Sequence, residues 1–256
     1  MEQKDSQKDL QKDLQKDSML NSIKILPIRP YLDEVKLPRK VNPILPDCKG
    51  DVGLFVGKIK SGKSVLLSNL LLREELLGNL FDNIYLISNT AGNDDSSRFL
   101  VDHPDVHVSE FYSDEVIRNI NESKKELPKK DMKWDIIIGD DLLGSLRANP
   151  PCEMYQFCTR LRHTCFNMML LTQKFNAVPR VVRANTTFLI IFWNIYNEKE
   201  LMDIDQEFGS FGGEMGLMYY YKNYIQKDPY AFLYVNFTKG IVMKNFDTIL
   251  YKLNTN

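Results

Sequence analysis

The sequence predicts an α/β layered fold in which helices flank a mostly parallel sheet. From residue 47 onward, short apolar runs with strand character alternate with longer amphipathic stretches, as βα units require. The first of these runs ends in a glycine-rich turn that opens a helical stretch, which is the order found in parallel sheets that bind phosphate groups. Late in the chain, two tyrosine-rich segments predict a C-terminal β-hairpin added to that sheet.

Six strands and three helices follow from this patterning. The strands are expected at residues 53–56, 84–88, 106–108, 135–139, 168–172 and 187–192. The helices are expected at residues 63–77, 113–125 and 152–163. The hairpin is expected to pair "LMYYYKN" (217–223) with "YAFLYVNF" (230–237) around "IQKDPY" (225–230).

The chain is predicted to have three regions. Residues 1–22 hold the repeat QKDS, QKDL, QKDL, QKDS, whose polar composition cannot build a core and predicts a disordered tail. Residues 23–46 carry five prolines among apolar residues, which predicts an extended lead-in across the folded body. Residues 47–256 are then expected to form the main domain.

Composition limits the kinds of partner. The 33 Lys and Arg residues balance 34 Asp and Glu residues, so contact with polyanions must use local patches. The apolar runs are too short to span a bilayer, which predicts an intracellular protein without a membrane partner. The cysteines have no metal-binding spacing and are expected to be reduced structural thiols. They are Cys48, Cys152, Cys158 and Cys165.

The stretch "GLFVGKIKSGKS", residues 53–64, fits the phosphate-binding pattern GxxxxGK[ST] between a strand and a helix. Its glycines let backbone N–H groups converge, and the helix N-terminus adds partial positive charge. Lys63 is expected to reach the β and γ phosphates and the Ser64 hydroxyl to bind Mg²⁺. The sequence thus predicts a P-loop NTPase that binds ATP and Mg²⁺. The expected binding residues are Gly57, Lys58, Ile59, Lys60, Ser61, Gly62, Lys63, Ser64 and Val65.

The run "WDIIIGDDLL", residues 134–143, is an apolar strand that ends in two carboxylates. Asp140 fits the Walker B acid that holds the Mg²⁺ shell, and Asp141 stands where motor ATPases place a general base or water-orienting acid. Such a strand normally lies beside the P-loop strand, and 84–88 is then an additional strand between the two motifs. An NKxD motif of GTPases and an LSGGQ motif of transporter ATPases are both absent from the sequence.

The next apolar run, "MMLLTQ", ends in Gln173. In ATPases with an additional strand, the strand after the Walker B strand ends beside the γ phosphate. There a glutamine can hydrogen-bond the water or the phosphate and so sense hydrolysis. An ordinary polar strand end is the alternative interpretation.

The ordered set "GKIKSGKS", "IIIGDD", "TRLRH", "LLTQ" and "VPRVVRANTTFLIIF" resembles the poxvirus-type genome-packaging ATPases of the FtsK/HerA superfamily, over residues 41–193. The chain is most similar to the virophage versions. The resemblance implies a RecA-like (ASCE) core that forms a homo-oligomeric ring, a pentamer or hexamer. It also implies translocation of double-stranded DNA into a preformed capsid, with portal or vertex proteins as partners. The place of action would be the host cytoplasm, in a viral factory, or the virion.

Two positions depart from this family pattern. Gly139 stands where a larger apolar residue is usual, which is expected to loosen strand packing beside the metal. Leu161 stands between Arg160 and Arg162 where relatives often have glycine, which leaves open which arginine points outward.

Several basic residues are candidates for contacts outside the chain's own site. Ring ATPases often complete a site with a neighbour's arginine, and Arg160 and Arg162 are the first candidates for that catalytic role, with Arg183 third. A surface salt bridge is the alternative for each arginine. The loops after the acid pair and after Gln173 are expected to face the channel of a ring. Their possible DNA contacts are Arg147, Lys174, Arg180 and Arg183.

Three other functions stay open on sequence grounds. A helicase or DNA-pumping ATPase of the same superfamily, acting in replication or segregation, would share nearly all of these residues. A P-loop kinase for a small molecule would need an arginine-bearing lid and an acceptor pocket, which the sequence does not reveal. A nucleotide-gated assembly protein would bind ATP without sustained turnover.

Overall fold

A computed structural model describes residues 35–91, 98–125, 127–128, 131–142, 146 and 152–253. The chain divides into the units Met1–Asp33 and Glu34–Asn256, and all described residues belong to the second. The predicted tail and the first half of the predicted lead-in, residues 23–34, lie outside the described residues.

The described part of the lead-in has no regular secondary structure and is held to the body by hydrogen bonds. Trp134 Nε1 donates to the carbonyl of Val35 at 3.1 Å. Arg39 Nη2 donates to the carbonyl of Gly78 at 2.7 Å. Tyr234 donates its hydroxyl proton to the carbonyl of Ile44 at 2.8 Å. Residues 35–46 therefore lie against the domain along their length.

The described residues form one nine-stranded sheet, which confirms the predicted α/β fold. Its order is β3-β2-β4-β5-β1-β6-β7-β8-β9. Neighbours from β3 to β6 pair in parallel, and β6 to β9 pair antiparallel. The strands are β1 Val52–Val56, β2 Ile84–Ser88, β3 Val106–Ser109, β4 Asp135–Asp140, β5 Phe166–Thr172, β6 Phe188–Phe192, β7 Phe232–Asn236, β8 Ile241–Lys244 and β9 Thr248–Lys252.

Helices cover this sheet, and two of the predicted ones are shorter than expected. The helices are α1 Lys63–Leu72, α2 Arg98–Val101, α3 Asp114–Lys125, α4 Glu153–Cys158, α5 Leu161–Thr164, α6 Arg180–Ala184, α7 Glu198–Phe208 and α8 Gly216–Tyr220. Helix α1 ends early because the backbone of Arg73 is extended. Gly78 then packs so closely on Arg73 that a Cβ at residue 78 would stand 2.7 Å from the Arg73 carbonyl carbon. Helix 152–163 is divided by a turn at residues 159–160. None of the helices in the described ranges is long and apolar enough to cross a membrane.

The order of the central strands differs from the prediction. Strand β5 lies between β1 and β4, so the acid-bearing strand is not the neighbour of the P-loop strand. Strand β2 lies on the far side of β4. Strand β5 suits the central place because all seven of its residues are buried, as strands covered on both faces must be. The side chain of Asn167 accepts protons from the backbone of Gly50 and Asp51, at 3.0 Å each, and so joins β5 to the start of β1.

A C-terminal β-hairpin is present, but the strand predicted for one of its two segments was wrong. "LMYYYKN" is helical, because it spans α8 and a wider π turn over Tyr221–Ile225. Tyr221 is fully buried and donates its hydroxyl proton to the carbonyl of Phe192, whereas Tyr219 on the same turn is exposed. Strand β7 instead pairs with β6 and with β8.

All four cysteines are buried and unpaired, as expected of reduced structural thiols. Burial raises the pKa of the Cys158 thiol to about 12, so this thiol stays protonated and unreactive at neutral pH.

Candidate nucleotide site

The predicted P-loop, acid pair and Gln173 meet at the carboxyl edge of the parallel strands. The P-loop follows β1, the acid pair closes β4 and Gln173 follows β5. Register brings these ends together, because Val56 lies opposite Thr172 and Asp140 lies opposite Leu171. The central position of β5 therefore places Gln173 between the phosphate-binding loop and the acids.

The backbone of the P-loop requires glycine at two positions. Gly62 has φ +100°, in the left-handed region that favours glycine. A Cβ on Gly57 would stand 2.7 Å from atoms of both Phe192 and Ser61, so the loop packs directly on β6. Residues 59–65 line a cavity of about 430 Å³ together with Tyr230. Its lining includes Lys63 and Ser64, the two P-loop residues expected to contact phosphate and Mg²⁺.

Lys63 lines this cavity and is folded back on its own loop. Its Nζ donates to the carbonyl of Gly57 at 2.7 Å and to that of Lys58 at 3.0 Å. Burial lowers the pKa of Lys63, and the charges of Asp140 and Asp141 oppose that shift. The lysine and the acid pair therefore act on each other electrostatically across the site.

Asp141 and Gln173 are in direct contact. Gln173 Nε2 donates to Asp141 Oδ2 at 3.0 Å. Asp141 has φ +52°, an uncommon conformation for a residue other than glycine. Backbone strain of this kind persists where the surroundings over-determine it, often at functional sites. The contact joins the predicted water-orienting acid to the predicted sensor.

Gly139 does not loosen the packing beside the acids, contrary to expectation. A Cβ at this position would stand 2.7 Å from Leu170 Cδ2 and 2.9 Å from Leu142 Cδ1. These two leucines fill the space that a larger residue 139 would occupy, so the strand is closely packed up to Asp140.

A family model for the poxvirus A32 protein matches residues 53–208, more than half of the chain. The chain belongs to the poxvirus A32 protein family. The matched segment includes the P-loop, the acid pair and Gln173. The predicted kinship with poxvirus-type genome-packaging ATPases of the FtsK/HerA superfamily is confirmed, and with it the enzyme class, an ATPase.

Solved structures of distant relatives share the fold of this A32 family member. The genome-packaging NTPase B204 of Sulfolobus turreted icosahedral virus 2, in complex with AMP, is 17% identical with a TM-score of 0.54, over 80% of this chain and 98% of that chain. The DNA-packaging ATPase B204 of Sulfolobus turreted icosahedral virus is 16% identical with a TM-score of 0.57, over the same shares. EccC ATPases 2 and 3 of Thermomonospora curvata are 12% identical with a TM-score of 0.52, over 82% of this chain and 38% of that chain. No curated protein sequence is significantly similar to this chain.

The chain carries its first two arginine candidates at the opposite edge of the sheet. Arg160 and Arg162 precede β5, and both are exposed, while Leu161 between them is buried. Arg162 packs on Gly50, just before β1, where a Cβ would stand 2.4 Å from Arg162 Cγ. Both arginines point outward, and neither reaches the P-loop of its own chain.

The candidate DNA contacts of this chain divide into three groups. Lys174 and Arg180 are exposed on the segment that follows β5. Arg183 is not available in the same way, because its side chain is only 16% exposed, pairs with Glu207 at 2.8 Å and lies 4.7 Å over the Phe175 ring. The structure therefore favours a structural role for Arg183 over the predicted contact with DNA or with a neighbouring subunit's site. Arg147 lies outside the described residues.

Two residues around the P-loop were missed by sequence reasoning. Asn194 accepts a proton from the backbone N–H of Lys58 at 3.1 Å and donates to the carbonyl of Ile59 at 3.2 Å. Glu200, on α7, pairs with Lys58 Nζ at 3.2 Å. The spacing of acids at 200, 203 and 207 in "EKELMDIDQEF" is the one signal that could have indicated a functional face of this helix.

Proposed function

We propose that this protein is an ATP-driven motor that moves double-stranded viral DNA into a preformed capsid. The observation that carries the proposal is the contact between Gln173 and Asp141. Gln173 stands at the start of a segment in which Lys174 and Arg180 are exposed, so the same connection would carry both the hydrolysis sensor and the DNA contacts. The family match and the similarity in fold to B204, a DNA-packaging ATPase, support the choice of cargo.

The nucleotide is proposed to be ATP, with its base in an apolar cavity beside the P-loop. This cavity of about 520 Å³ lies between α1 and the turn around Asn245 and Phe246. Gly62, Val65 and Tyr230 line both it and the phosphate cavity, so one ligand can extend through both. Tyr230 is 70% exposed at their junction, where its ring is available to stack on a base.

One side chain of the phosphate cavity and one at the end of β4 fit Mg²⁺ by their chemistry. Ser64, in the first turn of α1, supplies a hydroxyl, and Asp140 supplies a carboxylate whose charge already acts on Lys63. Hard oxygen donors of this kind suit Mg²⁺, which also binds phosphate oxygens. When bound, the ion would neutralise charge on the phosphates.

Lys63, Asp141 and Gln173 would then have separate roles in ATP hydrolysis. Lys63 would leave the carbonyls of Gly57 and Lys58 and donate to the phosphate oxygens instead. Asp141 would orient the attacking water and accept its proton, while the Gln173 amide would hold Asp141 and the water in line.

Tyr230→Ala is expected to raise the KM for ATP about tenfold and to change kcat little. Stacking of a base on an aromatic ring contributes roughly 1–3 kcal/mol, and the ring lies away from the acid pair. Steady-state ATPase assays over a range of ATP concentrations measure both constants. Tyr219→Ala, another partly exposed tyrosine, is the matched control and should leave KM unchanged. An unchanged KM for Tyr230→Ala would exclude the base from this cavity.

Linear duplex DNA is expected to stimulate ATP hydrolysis several-fold, and added salt should reduce the stimulation. Phosphate contacts made by Lys174 and Arg180 release counterions, which makes them sensitive to salt. The double variant Lys174→Ala, Arg180→Ala should lose most of the stimulation at unchanged basal rate. Lys252→Ala, an exposed lysine on β9, is the control. Titration of DNA into the ATPase assay at several salt concentrations measures these effects.

Other outcomes of that assay would favour other functions. Stimulation by a small acceptor and not by DNA would indicate a kinase, and nucleotide binding without turnover would indicate an assembly protein. Equal stimulation at all salt concentrations would contradict the phosphate contacts.

The motor is proposed to act as a ring of identical subunits that docks on portal or vertex proteins, in the host cytoplasm. Arg160 or Arg162 would complete a neighbouring subunit's site, which requires the amino edge of one sheet to approach the carboxyl edge of the next.

A further inference from the structure

We propose that one face of α7 couples the P-loop to the segment that follows Gln173. This face, here termed the α7 acid face, consists of Glu200, Asp203 and Glu207. Its connection to the P-loop is the ion pair between Glu200 and Lys58. Glu200 is a positioning residue in this proposal, because it acts through Lys58 and through the backbone of the segment.

The α7 acid face holds residues 175–183 at three points. Glu200 Oε1 accepts the backbone proton of Phe175 at 2.8 Å. Asp203 accepts a proton from the side chain of Asn176. Glu207 pairs with Arg183 at 2.8 Å. Residues three or four apart share one face of a helix, so a single rigid element fixes the whole segment.

Glu200 is the member that also reaches the P-loop. Its side chain is 7% exposed, and its second oxygen, Oε2, lies 3.2 Å from Lys58 Nζ. The same Nζ donates to the carbonyl of Gln173 at 3.3 Å. A buried carboxylate that loses its partner carries a large desolvation cost, so Lys58 and Glu200 are constrained to move together.

Nucleotide binding would act on this connection at Lys58 itself. Lys63 Nζ now holds the carbonyls of Gly57 and Lys58. A bound polyphosphate would draw Lys63 away from both carbonyls, which removes a restraint on the residue whose side chain holds Glu200. The state of the P-loop is thereby transmitted to the backbone of Phe175 and to the segment with the predicted DNA contacts.

The inference rests on nucleotide binding at the P-loop, as proposed above, but it requires no DNA. Hydrogen exchange of the amides in residues 173–184, with and without a non-hydrolysable ATP analogue, tests it on the full chain. In the wild type, the analogue should change the exchange rate of these amides at least threefold. In Glu200→Gln, which keeps an acceptor for Phe175 but removes the charge, this response should disappear. Binding of a fluorescent ATP analogue should stay within about twofold of wild type.

Glu198→Gln is the matched control. Glu198 lies in the same helical turn and pairs with Lys222 at 2.6 Å, but at the surface. This variant should respond to the analogue as the wild type does. Lys58→Met breaks the ion pair from the other side and should also abolish the response, which serves as the second test if Glu200→Gln fails to fold.

An unchanged response in a folded Glu200→Gln or Lys58→Met protein would overturn the coupling and leave the motor proposal intact. A wild type that binds the analogue without any change in exchange would also overturn it. A wild type that binds no nucleotide would contradict the proposed function itself, and the binding assay tells these results apart.

Discussion

Asp141→Asn is expected to bind ATP as tightly as the wild type and to hydrolyse it at least about 100-fold more slowly. Loss of a positioned general base typically removes 10²–10⁴-fold in rate. Asparagine is a sharp probe because it tolerates the φ of +52° at this position better than most residues. Its amide oxygen can also still accept the proton from Gln173 Nε2, so the variant removes the charge and preserves the contact. Single-turnover hydrolysis and equilibrium binding of labelled ATP measure the two effects.

The control for this variant is Asp203→Asn, an acid-to-amide change on α7 outside the phosphate cavity. It should retain turnover within a fewfold of wild type. Fast turnover by Asp141→Asn would remove Asp141 from the catalytic assignment and leave Asp140 as the acid to test.

Lys63→Ala is expected to weaken ATP binding about 10- to 100-fold, and turnover should fall with it. A hydrogen bond to a charged partner contributes roughly 1.5–3 kcal/mol, and Lys63 is expected to make such bonds to the phosphates. The folded state should lose little stability, because the two carbonyls that Lys63 holds belong to a half-buried loop. Calorimetric titration with a non-hydrolysable analogue measures the loss, and thermal unfolding without nucleotide checks the fold.

Lys252→Ala serves as the control here as well, since β9 lies at the outer edge of the sheet. Lys63→Ala and Asp141→Asn should therefore fail at different steps, one in binding and the other in chemistry. Equal and fast turnover in both variants would contradict the assignment of the site.

The parts of the site that depend on contiguous residues could be predicted from the sequence. A glycine-rich turn between a strand and a helix, and carboxylates directly after an apolar strand, specify their local conformation and their chemistry. Parallel pairing then requires the ends of such strands to meet at one edge, so the proximity of Asp141 and Gln173 to the P-loop was predictable. Which strand stands in the middle was not, because that order depends on long-range packing such as the bonds of Asn167.

Residues whose role depends on distant partners could not be predicted in this way. Glu200 lies in a polar helix segment and becomes a partner of Lys58, outside the phosphate cavity, only because α7 packs beside the P-loop. Tyr219, Tyr220 and Tyr221 satisfy strand propensity as well as helical packing, and the burial of Tyr221 against Phe192 favours the helix. Arg183 has the appearance of a DNA contact in sequence, but its ion pair with Glu207 gives it another partner.

The position of β5 sets a mechanical condition on any motor built on this sheet. Strand β5 is hydrogen-bonded along both sides, to β1 and to β4. Sliding it by one residue would break two ladders and turn its buried side chains to the wrong faces. In the proposed motor, the sheet would therefore be a stiff frame, and the displacement that performs work would arise in the connections beyond Thr172. The length of the power stroke would then be a property of those connections, and changes in their length or stiffness would alter the step without altering the chemistry.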